Sequence, residues 1–364
     1  MAPIATTTIT PQASTNREAL PKILLLDEVH LAKDELAELQ GKATVLLSKA
    51  VSRAQLMAMF APGGEYDDIA GIYRHFGAGR SVKLTGRFDA ELVAALPKSM
   101  RFIVHNGAGY DQLDVAALSS RNIQASNVPQ AVDDATSDIA LFLLLGALRR
   151  IPAAQLQLAQ GYFNSHFAST SARDPRGKVL GIVGAGGIGR ALAYKASHAL
   201  GMSVIYHNRR PLTMEEEEAA AKGGMAYVPT LEGLLERADV VSLHCPLTQE
   251  TRGLIGRAQL ARMKPSAVLI NTARGAIVKE EELAEALENS VIGGAGLDVY
   301  EVEPAVHARL VAQKDKVLLL PHIGTLTYET QREMEAVCLR NLIAGLDTGR
   351  LKFTVPEQQS VCFQ

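Results

Sequence analysis

Residues 178–190, KVLGIVGAGGIGR, constrain this chain more than any other segment. An apolar run (Val179, Leu180, Ile182, Val183) leads into Gly184-Ala185-Gly186-Gly187-Ile188-Gly189, and a helical pattern follows over 190–200. Strand, tight turn and helix in that order are the setting a dinucleotide needs. Gly184 permits the turn, Gly186 lets backbone approach a pyrophosphate, and Gly189 lets helix and strand pack closely. The helix N-terminus offers free N–H groups and positive partial charge to the same pyrophosphate.

Nineteen residues beyond Gly189, the next strand (Val204, Ile205, Tyr206, His207) ends in Asn208-Arg209-Arg210. An NAD site usually has Asp or Glu here, accepting hydrogen bonds from the adenosine ribose. A carboxylate would repel a 2′-phosphate. Neutral Asn208 tolerates one, and Arg209 or Arg210 can bind it bidentately. The alternative is a pair of solvated surface arginines before Pro211. The expected cofactor is NADP(H), with NAD(H) possible.

At 364 residues the chain is long enough for two domains, and 47% apolar with 21% charged residues is ordinary globular composition. A formal charge of −2 argues against a nucleic-acid partner. Cys245, Cys338 and Cys362 are widely spaced, with no metal-ligand spacing, as expected of reduced thiols in a cytoplasmic protein. The strongly apolar run 139–148 is too short to span a bilayer and reads as a buried helix, so no membrane partner is expected. Residues 1–19 are rich in Ala, Thr and Pro, have no apolar core and contain one Arg, Arg17. They read as a disordered extension rather than a secretory signal, and organellar targeting is left open.

Strand-like runs alternate with helical patterns, implying an α/β fold with parallel, doubly wound sheets. One set covers 23–26, 44–47, 102–105 and 123–125; a second covers 179–183, 203–206, 240–243, 267–270, 294–298 and 317–320. A long helical pattern at 131–150 lies between the sets, and another at 329–346 follows the last strand. Two sheets joined by one helix create a cleft, where ligands commonly bind.

Three strand ends in the second half carry chemistry. Asn271-Thr272-Ala273-Arg274-Gly275 follows one strand, Gly296-Leu297-Asp298 with Glu303-Pro304 the next, and Pro321-His322-Ile323-Gly324 the last. The carboxyl edge of a doubly wound sheet is where active sites sit. The forked guanidinium of Arg274 suits a carboxylate, so a 2-oxo acid is a natural substrate, and the same cation would polarise the neighbouring carbonyl. Ketone reduction needs a proton donor, which an imidazole supplies. Among the nine histidines only His322 combines a strand end with these upstream candidates; His105 could line the cleft, and His207 and His244 border the cofactor side. Glu303 is its natural partner, because a buried carboxylate favours a protonated imidazole, although an exposed residue before Pro304 is the bland alternative. Asp298 could accept from a nicotinamide carboxamide or act as a structural cap. In the first half, Asn106-Gly107-Ala108-Gly109-Tyr110-Asp111 follows a strand, and its small residues allow Ala108 and Gly109 to hold the substrate carboxylate opposite Arg274.

Together these residues resemble the D-isomer-specific 2-hydroxyacid dehydrogenases from about Ile23 to about Leu346. The landmarks, in order, are HNGAGYDQLDV, NVPQAVDDATSDIALFLLL, GIVGAGGIGRALA, HCPLTQETRGLI, INTARGAIV, GLDVYEVEP and PHIG. The resemblance implies two Rossmann-like domains with an active-site cleft between them. The substrate-binding domain would span 20–128 plus 325–364, and the dinucleotide-binding domain 129–324. It implies a homodimer built around the nucleotide domains. Arg274 looks like the family's substrate arginine, Glu303 its acidic partner, His322 its acid/base and Asp298 its carboxamide acceptor. Pro246, Thr251, Thr272, Ala273, His322 and Gly324 join Gly184, Gly186, Gly187, Ile188, Gly189, Asn208, Arg209 and Arg210 as the expected cofactor-binding set. The YHNRR segment is similar to that of NADP-preferring glyoxylate and hydroxypyruvate reductases, in particular the fungal branch. The chain has no Trp, whereas some hydroxypyruvate reductases contribute one across the dimer; Tyr162 or Phe163 is the candidate substitute. The expected function is NADPH-dependent reduction of small 2-oxo acids, glyoxylate to glycolate or hydroxypyruvate to D-glycerate, by hydride transfer. Bulkier aromatic or branched 2-oxo acids are one alternative. A cofactor-sensing corepressor-like scaffold is another.

Overall fold

In the computed structural model, residues 19–76, 80–163 and 171–363 are described. The expected extension over 1–19 lies outside them except for its last residue. Twelve parallel strands form two sheets among the described residues. The first contains β1 (Lys22–Leu25), β2 (Thr44–Leu47), β3 (Ile69–His75), β4 (Phe102–Asn106) and β5 (Gln124–Ser126) in the order β2-β1-β3-β4-β5. The second contains β6 (Val179–Val183), β7 (Ser203–His207), β8 (Met225–Tyr227), β9 (Val240–Leu243), β10 (Val268–Asn271), β11 (Gly294–Leu297) and β12 (Val317–Leu319) in the order β12-β11-β10-β9-β6-β7-β8. Inner strands such as β4, β9, β10 and β11 are buried along their whole length, as sheets with helices on both faces require. Each sheet accordingly has a hydrophobic cluster on either face.

The helix Asp133–Leu148 leaves the first sheet and packs on the second, against β10 and β11. It stops earlier than the apolar pattern suggests. Arg150 takes a left-handed φ of 54°, and a new helix, Ile151–Ala159, starts with Pro152 in its first turn at a bend of 65°. Proline lacks the N–H that continuation needs but fits a helix start. No single helix among the described residues is long and apolar enough to cross a membrane. The chain returns through Tyr328–Thr348, capped by Thr327, which packs on β4 of the first sheet.

The strands expected from the sequence are present, shifted by a residue or so at their ends. Two were not anticipated: the edge strand β8, and β3 at the centre of the first sheet. Gly71, Arg74 and His75 interrupt the apolar signal of β3. Gly71 serves packing, since a Cβ there would lie 2.8 Å from Ile23 Cδ1. Arg74 is wholly buried. Strand order reverses between β1 and β3 in one sheet and between β6 and β9 in the other, which opens a crevice at the carboxyl ends of both.

Candidate active site

The cofactor turn has the geometry its glycines imply. Gly184 adopts φ 95°, and a Cβ on it would lie 2.5 Å from the Cys245 backbone nitrogen at the end of β9. A Cβ on Gly189 would lie 2.5 Å from the Gly184 carbonyl oxygen, so this glycine sets the helix–strand approach. Gly186 differs: a Cβ there would meet nothing within 4 Å. The fold itself does not need that glycine, and the open space it faces, at the N-terminus of helix Gly187–Leu200, is the cradle a pyrophosphate would fill. Asn208 Oδ1 accepts from the Ala185 N–H at 2.7 Å, bracing the turn and leaving its amide donors unspent. Arg209 and Arg210 are exposed and form no ion pair among the described residues, whereas Arg190 in the same region is paired with Glu216 at 2.8 Å. Thr251 Oγ1 donates to the Pro246 carbonyl at 2.6 Å, closing the loop after β9. Thr272 Oγ1 is buried without a partner among the described residues, and Thr272 lines the cleft. A glycine turn open at a helix N-terminus, with a buried hydroxyl and exposed guanidinium groups at the carboxyl edge of the same sheet, fits a nicotinamide dinucleotide.

The cleft itself is lined from both sheets. Ala108, Gly109, Phe76 and Met334 come from the first; Thr272, Arg274, Asp298, His322 and Gly324 from the second; Ile188 comes from the glycine turn and Val132 and Thr136 from the linking helix. Arg274 and His322, distant in sequence, are thus brought to one cleft, and Glu303 joins them through its contact with His322.

His322 Nδ1 lies 2.8 Å from Glu303 Oε2, while Glu303 Oε1 accepts from the Tyr300 N–H at 3.1 Å. Burial pushes the Glu303 carboxyl up, but its bond to His322, the His322 charge, the Tyr300 N–H and the Arg274 charge outweigh that, holding it below the usual value. The carboxylate therefore stays ionised and fixes the imidazole by Nδ1, leaving Nε2 for chemistry. His322 itself has φ 57°, a left-handed conformation that side chains rarely adopt and that a packed site must enforce. The enforcing contacts come from Asp298, 1% exposed, whose two carboxylate oxygens accept from the Ile323 and Gly324 N–H groups, each at 2.8 Å. Asp298 caps the His322 loop, and burial pushes its carboxyl up despite these bonds.

Arg274 reaches across the cleft. Its Nε donates to Asp111 Oδ1 at 2.9 Å, and Nη1 to the Ala273 carbonyl at 2.8 Å. A Cβ on Gly109 would collide with its guanidinium, so the glycine is what lets the two approach. Asn271, at the end of β10, holds the turn by donating to the Arg274 carbonyl and accepting from the Ala273 N–H. The Phe76 ring lies 5.6 Å from the His322 ring. Asp111 and Phe76 carried no role in the sequence reading; Asp111 stood inside the quoted loop, and its carboxylate opposite a strand-end arginine was the available signal. His105 does not line the cleft: it is fully buried behind it. Tyr162 and Phe163 are 61% and 88% exposed and do not line this cleft.

The model of the D-isomer specific 2-hydroxyacid dehydrogenase NAD-binding domain matches residues 141–324. The chain is 44% identical over 342 residues to 4-methyl-2-oxopentanoate reductase A of Aspergillus oryzae, covering 94% of this chain and 100% of that one. The chain belongs to the D-isomer specific 2-hydroxyacid dehydrogenases. The crystal structure of a glyoxylate reductase from Paecilomyes thermophila superposes on this dehydrogenase with a TM-score of 0.86 at 43% identity, covering 93% of this chain and 99% of that one. An NADPH-dependent glyoxylate/hydroxypyruvate reductase from Sinorhizobium meliloti, in complex with NADP and malonate, does so with a TM-score of 0.76 at 30% identity, covering 93% and 98%. The dehydrogenase is an oxidoreductase that acts on the CH–OH group of a 2-hydroxy acid, or reduces the 2-oxo acid, with a nicotinamide cofactor.

Proposed function

We propose that this dehydrogenase works as an NADPH-dependent reductase of small 2-oxo acids, glyoxylate and hydroxypyruvate first, with Arg274, Glu303 and His322 as its catalytic set. The observation that carries this reading is the convergence of Arg274 and the Glu303–His322 pair on one cleft beside loop 107–111. Arg274 Nη2, not engaged by Asp111 or Ala273, faces the loop and binds the substrate carboxylate together with the Ala108 and Gly109 backbone. The guanidinium also polarises the 2-oxo group and stabilises charge developing on its oxygen. His322 Nε2 donates the proton to that oxygen, and Glu303 keeps the ring oriented and balances its charge. The nicotinamide, when bound, supplies the hydride that reduces the 2-oxo carbon. Its holders would be the turn 184–189, the Pro246 and Thr251 loop, and Thr272, Ala273 and Gly324; any Asp298 contact to the carboxamide would use a second lone pair of its capped carboxylate.

NADP(H) preference is supported by Asn208, Arg209 and Arg210, and by the cofactor named for the Sinorhizobium relative. A homodimer is supported by exposed apolar side chains on the helices Asp133–Leu148 and Ile151–Ala159, where Phe142, Ile151 and Leu158 are 50%, 39% and 62% exposed. A second reading, reduction of branched 2-oxo acids, is favoured by the name of the Aspergillus relative and by the apolar Phe76 and Met334 in the cleft lining. Steady-state kcat/KM for glyoxylate, hydroxypyruvate and 4-methyl-2-oxopentanoate with NADPH tests the two directly. The leading reading expects the smaller acids to be preferred; a clear preference for 4-methyl-2-oxopentanoate replaces it with the second.

A further inference from the structure

Arg74 is the largest fully buried side chain of the described residues, and no carboxylate is hydrogen-bonded to it. Burying a guanidinium that way costs several kcal/mol that an apolar residue of similar volume would not. Its partners show what the charge is used for. Nη1 lies 3.2 Å from His105 Nδ1 on the neighbouring strand, with which Arg74 is in register, and Nη2 donates to Gln112 Oε1 at 2.8 Å. The Arg74 guanidinium also sits 5.5 Å from the centre of the Phe88 ring.

Arginine can only donate, so His105 Nδ1 is the acceptor and the ring proton sits on Nε2. That nitrogen lies 2.9 Å from the Gly109 carbonyl oxygen, to which it donates. Burial, and then the Arg74 charge, push the His105 imidazole well below its ordinary range, consistent with one neutral tautomer. On its other side the guanidinium of Arg274 packs against Gly109 so closely that a Cβ there would collide with it, and Asp111, two residues further along the loop, accepts from Arg274 Nε at 2.9 Å. Gln112 extends the network in a second direction, donating to the carbonyl of Phe76, whose ring faces His322.

We propose that Arg74 and His105 are positioning residues that hold loop 107–111, and through it Arg274, in the arrangement that receives a 2-oxo carboxylate. This rests on the reading of Arg274 and the loop as the carboxylate site. The imidazole converts a donor-only cation into a donor aimed at a backbone carbonyl, a task that needs an acceptor and an N–H on opposite sides of one ring.

The test uses the purified full-length chain with glyoxylate and NADPH. His105→Phe keeps a ring but removes both nitrogens. It should raise the glyoxylate KM about tenfold, the scale of one buried hydrogen bond, with the NADPH KM unchanged and kcat altered less. His105→Gln, which restores an acceptor and an N–H, should recover most of the loss, and Arg74→Met should resemble His105→Phe. If thermal melting shows that these buried variants do not fold, Gln112→Leu at the half-buried end of the network carries the same expectation. Arg274→Ala is measured alongside. Wild-type glyoxylate KM in a folded network variant, with Arg274→Ala impaired, would overturn the positioning role alone. A parallel rise in both KM values would also overturn it, because general loosening gives that result. An unimpaired Arg274→Ala would remove the carboxylate-site reading beneath it.

Discussion

The second sheet delivers side chains to the cleft, with Arg274, Asp298, Glu303 and His322 standing just beyond β10, β11 and β12. The first sheet delivers the apolar Phe76 and Met334 and a backbone element, loop 107–111, held from behind by buried Arg74 and His105. The two halves also differ in how they tolerate error. A proton donor or a charge is lost outright when its side chain is removed. A backbone N–H survives any substitution but proline, and otherwise fails only when its support shifts. Changes in the second sheet should therefore act on the chemical step, with Arg274 acting on binding as well, and changes in the first chiefly on how well the 2-oxo acid is held.

The largest effect that would sharpen this contrast is His322→Ala, which should lower kcat about a thousandfold while NADPH binding, followed by fluorescence titration, stays intact. Arg274→Ala should come next, at on the order of 3 kcal/mol in kcat/KM, because carboxylate binding and carbonyl polarisation go together. Rates close to wild type in either variant would break the assignment of chemistry to the second sheet. Asn208→Asp combined with Arg209→Ala should shift kcat/KM from NADPH toward NADH by about tenfold or more, as expected for loss of a charge-assisted bond and gain of a repelling carboxylate. Unchanged NADPH selectivity would mean that other residues read the 2′-phosphate.

The smallest effect concerns pH, and each sheet supplies a probe. His105 is held well below its ordinary value by burial and the Arg74 charge, and His244, at the end of β9, is pushed down by burial from 6.5 to about 4. The unfolded chain takes up protons on these rings below pH 6.5 while the folded chain does not, so their contribution is complete above 6.5 and stability falls as pH drops toward 4. Glu303, lowered in the folded state, adds a loss in the same direction below its unfolded value of 4.5. Urea unfolding at pH 7 and pH 5 should show a smaller acid-induced loss in His244→Gln than in wild type. An equal loss would remove that histidine from the account.

The same contrast explains what was legible in the sequence. Side-chain chemistry at the edge of the second sheet leaves a local signature, a reactive residue close after an apolar strand, which singled out Arg274, Asp298 and His322; Glu303, six residues beyond β11, was read only as the partner of His322, and it lies 2.8 Å from that ring. The glycine turn was readable for the same reason. The bond from the Ala185 N–H to Asn208 was not, because it joins the ends of two strands. In the first sheet β3 was missed, since a buried arginine looks like a surface residue until the strand beside it is known. Asp111 was passed over because its partner lies 163 residues away. His105 looked like a cleft residue because it ends a strand, yet it faces Arg74 and the back of the loop.

The most direct test of the central claim is the loss of nicotinamide absorbance in the purified chain, with NADPH or NADH and with glyoxylate, hydroxypyruvate, 4-methyl-2-oxopentanoate or phenylpyruvate, in wild type and in His322→Ala. Rapid NADPH-dependent reduction of glyoxylate is expected in wild type and its loss in the variant. Tight NADPH binding without turnover of any of these acids, or turnover that His322→Ala leaves intact, would contradict it.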